Sequence, residues 1–170
     1  MTQYSTATVA GFTTYHEARG RTLGATWDDD YINAALLVAT EFLDVKFGDS
    51  FIGEKTDGFT QEREWPRINA VVETPKYTYV IPSTEIPNAI TNSVYELAWR
   101  EASSQGSLLV DYTPNKYNSV SIDGAVSVDY RNFTFSQDAQ LQIPIVEQLL
   151  QYYLEYGNSN SAYSGKIERV

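Results

Sequence analysis

The stretch TQEREWPRINAV, residues 60–71, sets Trp65 between Arg63 and Arg67, with Glu62 and Glu64 beside them and Pro66 directly after. An aromatic ring between two guanidinium groups is a surface on which a single-stranded base can stack, provided that the groove around it is basic. The same residues form a loop anchor if the indole packs into a core and Pro66 keeps the residue before it extended. The arginines would then pair with carboxylates of this chain or of a neighbouring one. Nearby glutamates offset the arginines, and 12 Lys and Arg face 22 Asp and Glu overall, a formal net charge of −10. Nucleic-acid affinity comes mostly from cations that displace phosphate counterions, and there is no basic block anywhere. The charge balance therefore favours the anchor.

Other groups could do chemistry in principle. Asp28, Asp29 and Asp30 could be combined with Glu41 or Asp44 as a cation site, but adjacent carboxylates on one turn do not converge on an ion without help. They read better as a helix cap. DGFTQE (57–62) starts like a calcium loop and lacks its ligand spacing. His16 is the single histidine and there are no cysteines, so thiolate metal sites and a disulfide framework are excluded. His16 reads as a packing or surface residue. There is no Gly-x-Ser-x-Gly elbow, no phosphate loop and no dinucleotide fingerprint. Nothing proposes a catalytic mechanism, a metal or a cofactor.

The elements that must position these residues are mostly helical. FTTYHEARG (12–20) predicts a short helix capped by Thr13 or Thr14 and ended by Gly20. WDDDYINAALLVATEFLDVKFG (27–48) predicts a long one, with an apolar row at 32, 35, 36, 39 and 43 and a second at 31, 38, 42 and 45. So wide a stripe implies that most of this helix is buried. STEIPNAITNSVYELAWREASSQG (83–106) predicts another, with Pro87 in its first turn and Ile90, Val94, Leu97, Ala98 and Ala102 inward. IPIVEQLLQYYLEYG (143–157) predicts a third main helix, opened by Pro144, with Val146, Leu149, Leu150, Tyr153 and Leu154 on its apolar face. In YNSVSIDGAVSVDYRNFTF (117–135) the period changes, and Asp123-Gly124 between alternating apolar residues predicts a β-hairpin.

The remainder is loop. Residues 1–10 read as polar and loosely held, and 49–86 hold no long periodic segment, with Thr74–Ile81 extended or an edge strand. So long an irregular connection usually has a job or a partner. The fold class expected is mainly α: a small bundle of three main helices plus a short N-terminal one, with a β-hairpin and long loops. The 170 residues suit a single domain at 1–156, followed by a tail at 157–170. No basic-then-apolar N-terminal stretch suggests a secretory signal, and the longest apolar run, Ala34–Ala39, is too short to span a bilayer. The 13 tyrosines suit subunit contacts or the wet edge of a core.

Taken in order, YHEARG (15–20), WDDDYINAALLVATEFLDVKF (27–47), FIGEKTDGFTQEREWPR (51–67), IPNAITNSVYELAW (86–99), the VSIDGAVSVDY hairpin (120–130) and the final Leu-rich helix carry a resemblance over about residues 9–155. The chain resembles the head–tail adaptor (head-completion or connector) proteins of tailed phages. Some members of that family are described as single-stranded-DNA-binding proteins resembling a primosomal factor. The resemblance implies a structural protein of the virion neck, made in the host cytoplasm and assembled as a dodecameric ring. Its partners would be the portal protein, a stopper or tail-completion protein, and other copies of itself, with no membrane. Genomic DNA would pass through the ring without specific binding. The terminal arm, with Tyr163, Ile167 and Val170, would dock on the portal. The acidic net charge departs from the single-stranded-DNA-binding description and suits a conduit, whose wall must not hold the DNA.

Overall fold

A computed structural model of the chain describes residues 2–109, 119–122, 126–129 and 142–155. The helices in these residues are α1 (Val9–Glu17), α2 (Asp29–Phe47), α3 (Asn88–Ser103) and α4 (Pro144–Leu150). The protein is mainly helical, with short antiparallel strand pairs between the helices. The described residues separate into two compact units, one running to Leu108 and resuming at Ile143, the other within Leu109–Gln142.

The packing of α2 against α3 is the centre of the first unit, and α4 adds to α3. The inward row of α2 (Ile32, Ala35, Leu36, Ala39 and Leu43) is buried, as is that of α3 (Ile90, Val94, Leu97, Ala98 and Ala102). Each buried Leu, Ile or Val contributes roughly 1.5–3 kcal/mol, enough to outweigh the poor helix propensity of Thr91 and Ser93 within α3. The second row of α2 behaves differently. Tyr31, Val38 and Phe42 are half-buried, and Val45 is 89% exposed, so this side of the helix lacks the cover that its apolar pattern predicts.

Helix ends follow local chemistry, with corrections. α1 begins one turn earlier than 12–20 because Thr8 is its cap, the Oγ1 accepting from the Gly11 amide at 3.1 Å. Thr13 and Thr14 are therefore interior. Asp28 caps α2, accepting from the Tyr31 amide at 2.8 Å, and Asp29 and Asp30 occupy its positive first turn. α3 starts at Asn88 with Pro87 as its cap rather than at 83, because the Glu85 amide closes a turn on the Pro82 carbonyl. α4 stops at Leu150 rather than running to 157. Beyond it the backbone pairs with the loop after α2: Ile52 donates to the Tyr153 carbonyl at 3.0 Å, and Phe51 bridges to Leu154.

The long connection 49–86 is built from very short pieces. β1 (Glu54–Lys55) pairs with β2 (Arg67–Ile68), and β3 (Val71–Glu73) with β4 (Thr78–Val80), both antiparallel. Gly53, just before β1, has φ 76°, and a Cβ there would meet the Ile68 carbonyl oxygen at 2.4 Å, so only glycine permits this approach. In the second unit β5 (Ser119–Ile122) pairs with β6 (Val126–Asp129), with Ile122 opposite Val126. The Asp123-Gly124 turn, Tyr130 and the tail with Tyr163, Ile167 and Val170 lie outside the described residues.

The N-terminal segment corrects the expectation of a loose arm. Tyr4 and Ala7 are buried. The Thr2 amide donates to Glu62 at 3.1 Å, Thr6 Oγ1 lies 2.6 Å from Thr91 Oγ1, and the Tyr95 hydroxyl donates to the Thr6 carbonyl at 3.1 Å.

Candidate functional site

The Arg63–Arg67 segment lies against α2, the N-terminal arm and the chain after α4. Trp65 is only 1% exposed. Its indole meets the ring of Phe51 edge-on at 5.7 Å and that of Tyr153 at 6.1 Å. The Trp65–Pro66 peptide is cis. Gln61 staples the segment from within, its Nε2 donating to the carbonyls of Arg63 at 2.7 Å and Pro66 at 3.0 Å.

Both arginines point inward. Arg63 is 8% exposed; its Nη1 lies 3.4 Å from Asp44 Oδ2, its Nη2 lies 3.9 Å from Glu41, and its Nε donates to the Thr2 carbonyl. Arg67, also buried, donates to Glu64 at 2.8 Å and to the carbonyls of Gly53 at 2.8 Å and Phe51 at 3.3 Å. Lys55 adds a second cation to Glu64 at 2.7 Å. The hydroxyl of Tyr4 donates to Asp44 Oδ1. Burial pushes the Asp44 carboxyl up to about 6, although Tyr4 and Arg63 both pull it down; burial, then Asp44, also pushes the Tyr4 phenol up.

A second buried polar cluster joins α1 to α3. His16 is fully buried, with Nε2 at 3.1 Å from the Tyr95 carbonyl and Nδ1 at 3.0 Å from Arg21 Nη1. Arginine has no acceptor, so Nδ1 accepts and Nε2 carries the proton. Burial holds the imidazole down at about 4. Beside it Glu96 takes both Arg21, at 3.1 Å, and Arg100, at 3.3 Å. Burial opposes its charge, but the hydrogen bonds and charge of the two arginines outweigh that and hold the carboxyl below its ordinary range. The expected pairing of the arginines with carboxylates of this chain is met by Asp44 and Glu64, whereas Glu96 and Gln61 were not singled out in the sequence. For Glu96 the available signal was an acidic residue among the apolar positions of α3; for Gln61, which lies in a loop, there was none.

The imagined cation site does not assemble. Asp28 lies about 20 Å along α2 from Glu41 and about 24 Å from Asp44, at ~1.5 Å rise per residue. Asp44 faces Arg63 and Tyr4 instead. Among the described residues no group of three or more His, Asp or Glu side chains could hold a metal ion. Among those residues, too, no helix is long and apolar enough to cross a membrane.

These observations define a small, acidic, mainly helical protein whose arginine–tryptophan segment faces its own core. The chain belongs to the family described as "Putative DnaT-like ssDNA binding protein", whose model matches residues 3–170. Neither the curated proteins nor the solved structures give a significant match.

Proposed function

We propose that this protein is a structural head–tail adaptor of a tailed-phage virion, not an enzyme. In this reading it forms a ring between the portal and the stopper or tail-completion protein, and genomic DNA passes through without specific binding. One observation carries the reading: the two arginines that flank Trp65 are engaged inside the fold and not held out towards a polyanion. Arg21, Lys46, Lys55, Arg63, Arg67 and Arg100 each pair with a carboxylate, and Trp65 is buried. Base stacking needs an open ring beside unpaired positive charge, and this segment offers neither. The net charge of −10 adds repulsion, which suits the wall of a conduit.

The test is assembly on purified portal, imaged by electron microscopy. A ring is expected on the portal, and deletion of 157–170 should abolish its binding. Full portal affinity in the truncated protein would reject the docking role of Tyr163, Ile167 and Val170. Absence of any ring would reject the adaptor reading.

The family description supports a second reading, single-stranded-DNA binding. Its surface would be β4 rather than Trp65. Tyr77, directly before β4, and Tyr79, within it, are 63% and 49% exposed and follow the exposed Lys76. A gel shift with a long single strand at physiological salt decides it. Binding at micromolar protein that is lost in Tyr77→Ala/Tyr79→Ala would establish this reading, and no shift would end it.

A further inference from the structure

Residues 2–7 lie over the Arg63–Arg67 segment as a single layer of chain. Thr2, Ser5 and Thr6 are exposed, whereas the ring of Tyr4 is turned inward and only 2% exposed. Two groups of ties hold this arm, and they reach different parts of the fold. Before Ser5 the Thr2 amide and hydroxyl donate to Glu62 at 3.1 and 3.2 Å, the Thr2 carbonyl accepts from Arg63 Nε, and the Tyr4 hydroxyl donates to Asp44 Oδ1. After Ser5 the ties go to α3: Thr6 Oγ1 lies 2.6 Å from Thr91 Oγ1, and the Tyr95 hydroxyl donates to the Thr6 carbonyl. The turn between the two groups is closed by the Ala7 amide, which donates to the Tyr4 carbonyl at 2.9 Å.

Asp44 is where the arm meets the arginine–tryptophan segment. Its Oδ1 takes the Tyr4 hydroxyl and its Oδ2 lies 3.4 Å from Arg63 Nη1, so arm and segment share one carboxyl. The charges around it are unevenly matched. The segment supplies Arg63 and Glu64, and α2 itself supplies Glu41 one turn back, 3.9 Å from Arg63 Nη2. The arm supplies only the neutral Tyr4 phenol. Lys55 and Arg67 both pair with Glu64 instead. Asp44 therefore has two carboxylates and one guanidinium for neighbours, and 12% of its side chain is left to solvent. A desolvated carboxyl in such company holds its proton more tightly, and removing the cover relieves it.

We propose that residues 2–5 form a strap, hinged at the Ser5–Thr6 turn, which Asp44 holds down when protonated and lets lift when ionised. A chain terminus can open in this way without unfolding the rest. Docked, Thr2 and Tyr4 cover Arg63 and Asp44. Lifted, they give both groups to water, and Arg63, 8% exposed when covered, loses the Thr2 carbonyl as an acceptor. The sign follows from linkage. The covered carboxyl, raised first of all by burial, binds the proton more tightly than an uncovered one, so docking is strongest in acid and weakens as pH rises. A carboxyl at about 6 when covered and near 3.8 when uncovered makes the lifted population roughly tenfold larger at pH 7 than at pH 5. The strap depends on neither the ring reading nor the single-strand reading.

Hydrogen exchange followed by NMR on the full chain tests it. The Ala7 amide reports on the strap, and the Leu97 amide, inside α3, reports on opening of the whole unit. After correction for the intrinsic rate at each pH, exchange at Ala7 should rise roughly tenfold from pH 5 to pH 7, and exchange at Leu97 should not follow it. Asp44→Asn should leave the corrected Ala7 exchange flat across that range. Tyr4→Phe keeps the buried ring, removes the tie to Asp44, and should speed exchange at Ala7 several-fold at pH 7. Unchanged protection at Leu97 shows that each variant is folded. The strap is overturned if Ala7 and Leu97 rise together or if corrected exchange at Ala7 does not change with pH. It is equally overturned if Asp44→Asn keeps the parent's slope, or if Tyr4→Phe exchanges at the parent's rate.

Discussion

Two carboxylates of the first unit, the buried Glu96 and the half-buried Asp44, are shifted in opposite directions. Glu96 has two arginines within 3.3 Å and is held below the ordinary carboxylate range. Asp44 has Arg63 at 3.4 Å and the Tyr4 hydroxyl, and burial raises it to about 6. Burial alone always disfavours the charge; the number and closeness of the cations decide whether it prevails. The α1–α3 cluster is therefore a true ion-pair junction. The Asp44 cluster relies more on Trp65 and the packing around it than on charge.

The largest effect should come from removing that packing. Trp65→Ala is expected to destabilise by about 3–5 kcal/mol, the range for loss of a buried large aromatic. Urea unfolding measures it, and limited proteolysis should find new cleavage within residues 51–67. A loss below about 1 kcal/mol would mean that the ring is not a core element.

Glu96→Gln should rank second. It leaves two arginines facing a neutral amide, and breaking a buried pair costs about 3–5 kcal/mol. Arg21 and Arg100 are about a third exposed, so solvent recovers part of this and about 2 kcal/mol is expected. A matching Asp44→Asn at pH 7 should cost under about 1 kcal/mol, because it also removes an unfavourably buried charge. Equal losses in the two variants would erase the contrast between the clusters.

Proton linkage sharpens it further. His16 is faced by Tyr15, Arg21 and Glu96 and titrates at about 4 when folded, against 6.5 unfolded. Between those values the unfolded chain binds the extra proton, so this group makes stability rise with pH. Asp44, faced by Tyr4, Arg63 and Glu64, titrates at about 6 folded against 3.8 unfolded. Here the folded chain binds the extra proton, so stability falls as pH rises through the same window. Glu96, depressed on folding, loses its contribution only as pH falls below its unfolded value of 4.5. From pH 4.5 to 6 the two slopes should nearly cancel in the parent protein. His16→Gln should then lose stability with rising pH, and Asp44→Asn should gain it, each by up to about 1.4 kcal/mol per pH unit. Chemical denaturation across that range checks both signs.

The same contrast separates what could be read in the sequence from what could not. The inward rows of α2 and α3 follow a helical period, so Leu36, Leu43, Val94 and Leu97 are visible as core in any window. Trp65 sits in no period; its acidic neighbours argued against a nucleic-acid groove, but nothing local named Phe51 and Tyr153 as its partners. The N-terminal arm read as loose because its residues are polar and their partners distant: Thr2 meets Glu62, and Thr6 meets Thr91. Strands of two or three residues, such as β1 and β2, are too short for alternation to register. Periodic burial is encoded locally, whereas polar partnership at long range is not.

The smallest effects test the caps that frame the two clusters. Thr8 holds the first turn of α1, which carries His16, and Asp28 does so for α2, which carries Asp44. Thr8→Ala and Asp28→Ala should each cost about 1 kcal/mol. Asp29→Ala removes only a charge near the helix dipole and should cost about 0.3–0.5 kcal/mol. Salt divides the three. Added salt should shrink the Asp29 effect because it is purely electrostatic, and should leave most of the Thr8 effect because a hydroxyl cap is a hydrogen bond. Asp28 does both jobs and should fall between them. A large Asp29 effect that persists in high salt would reject the dipole account of the acidic turn.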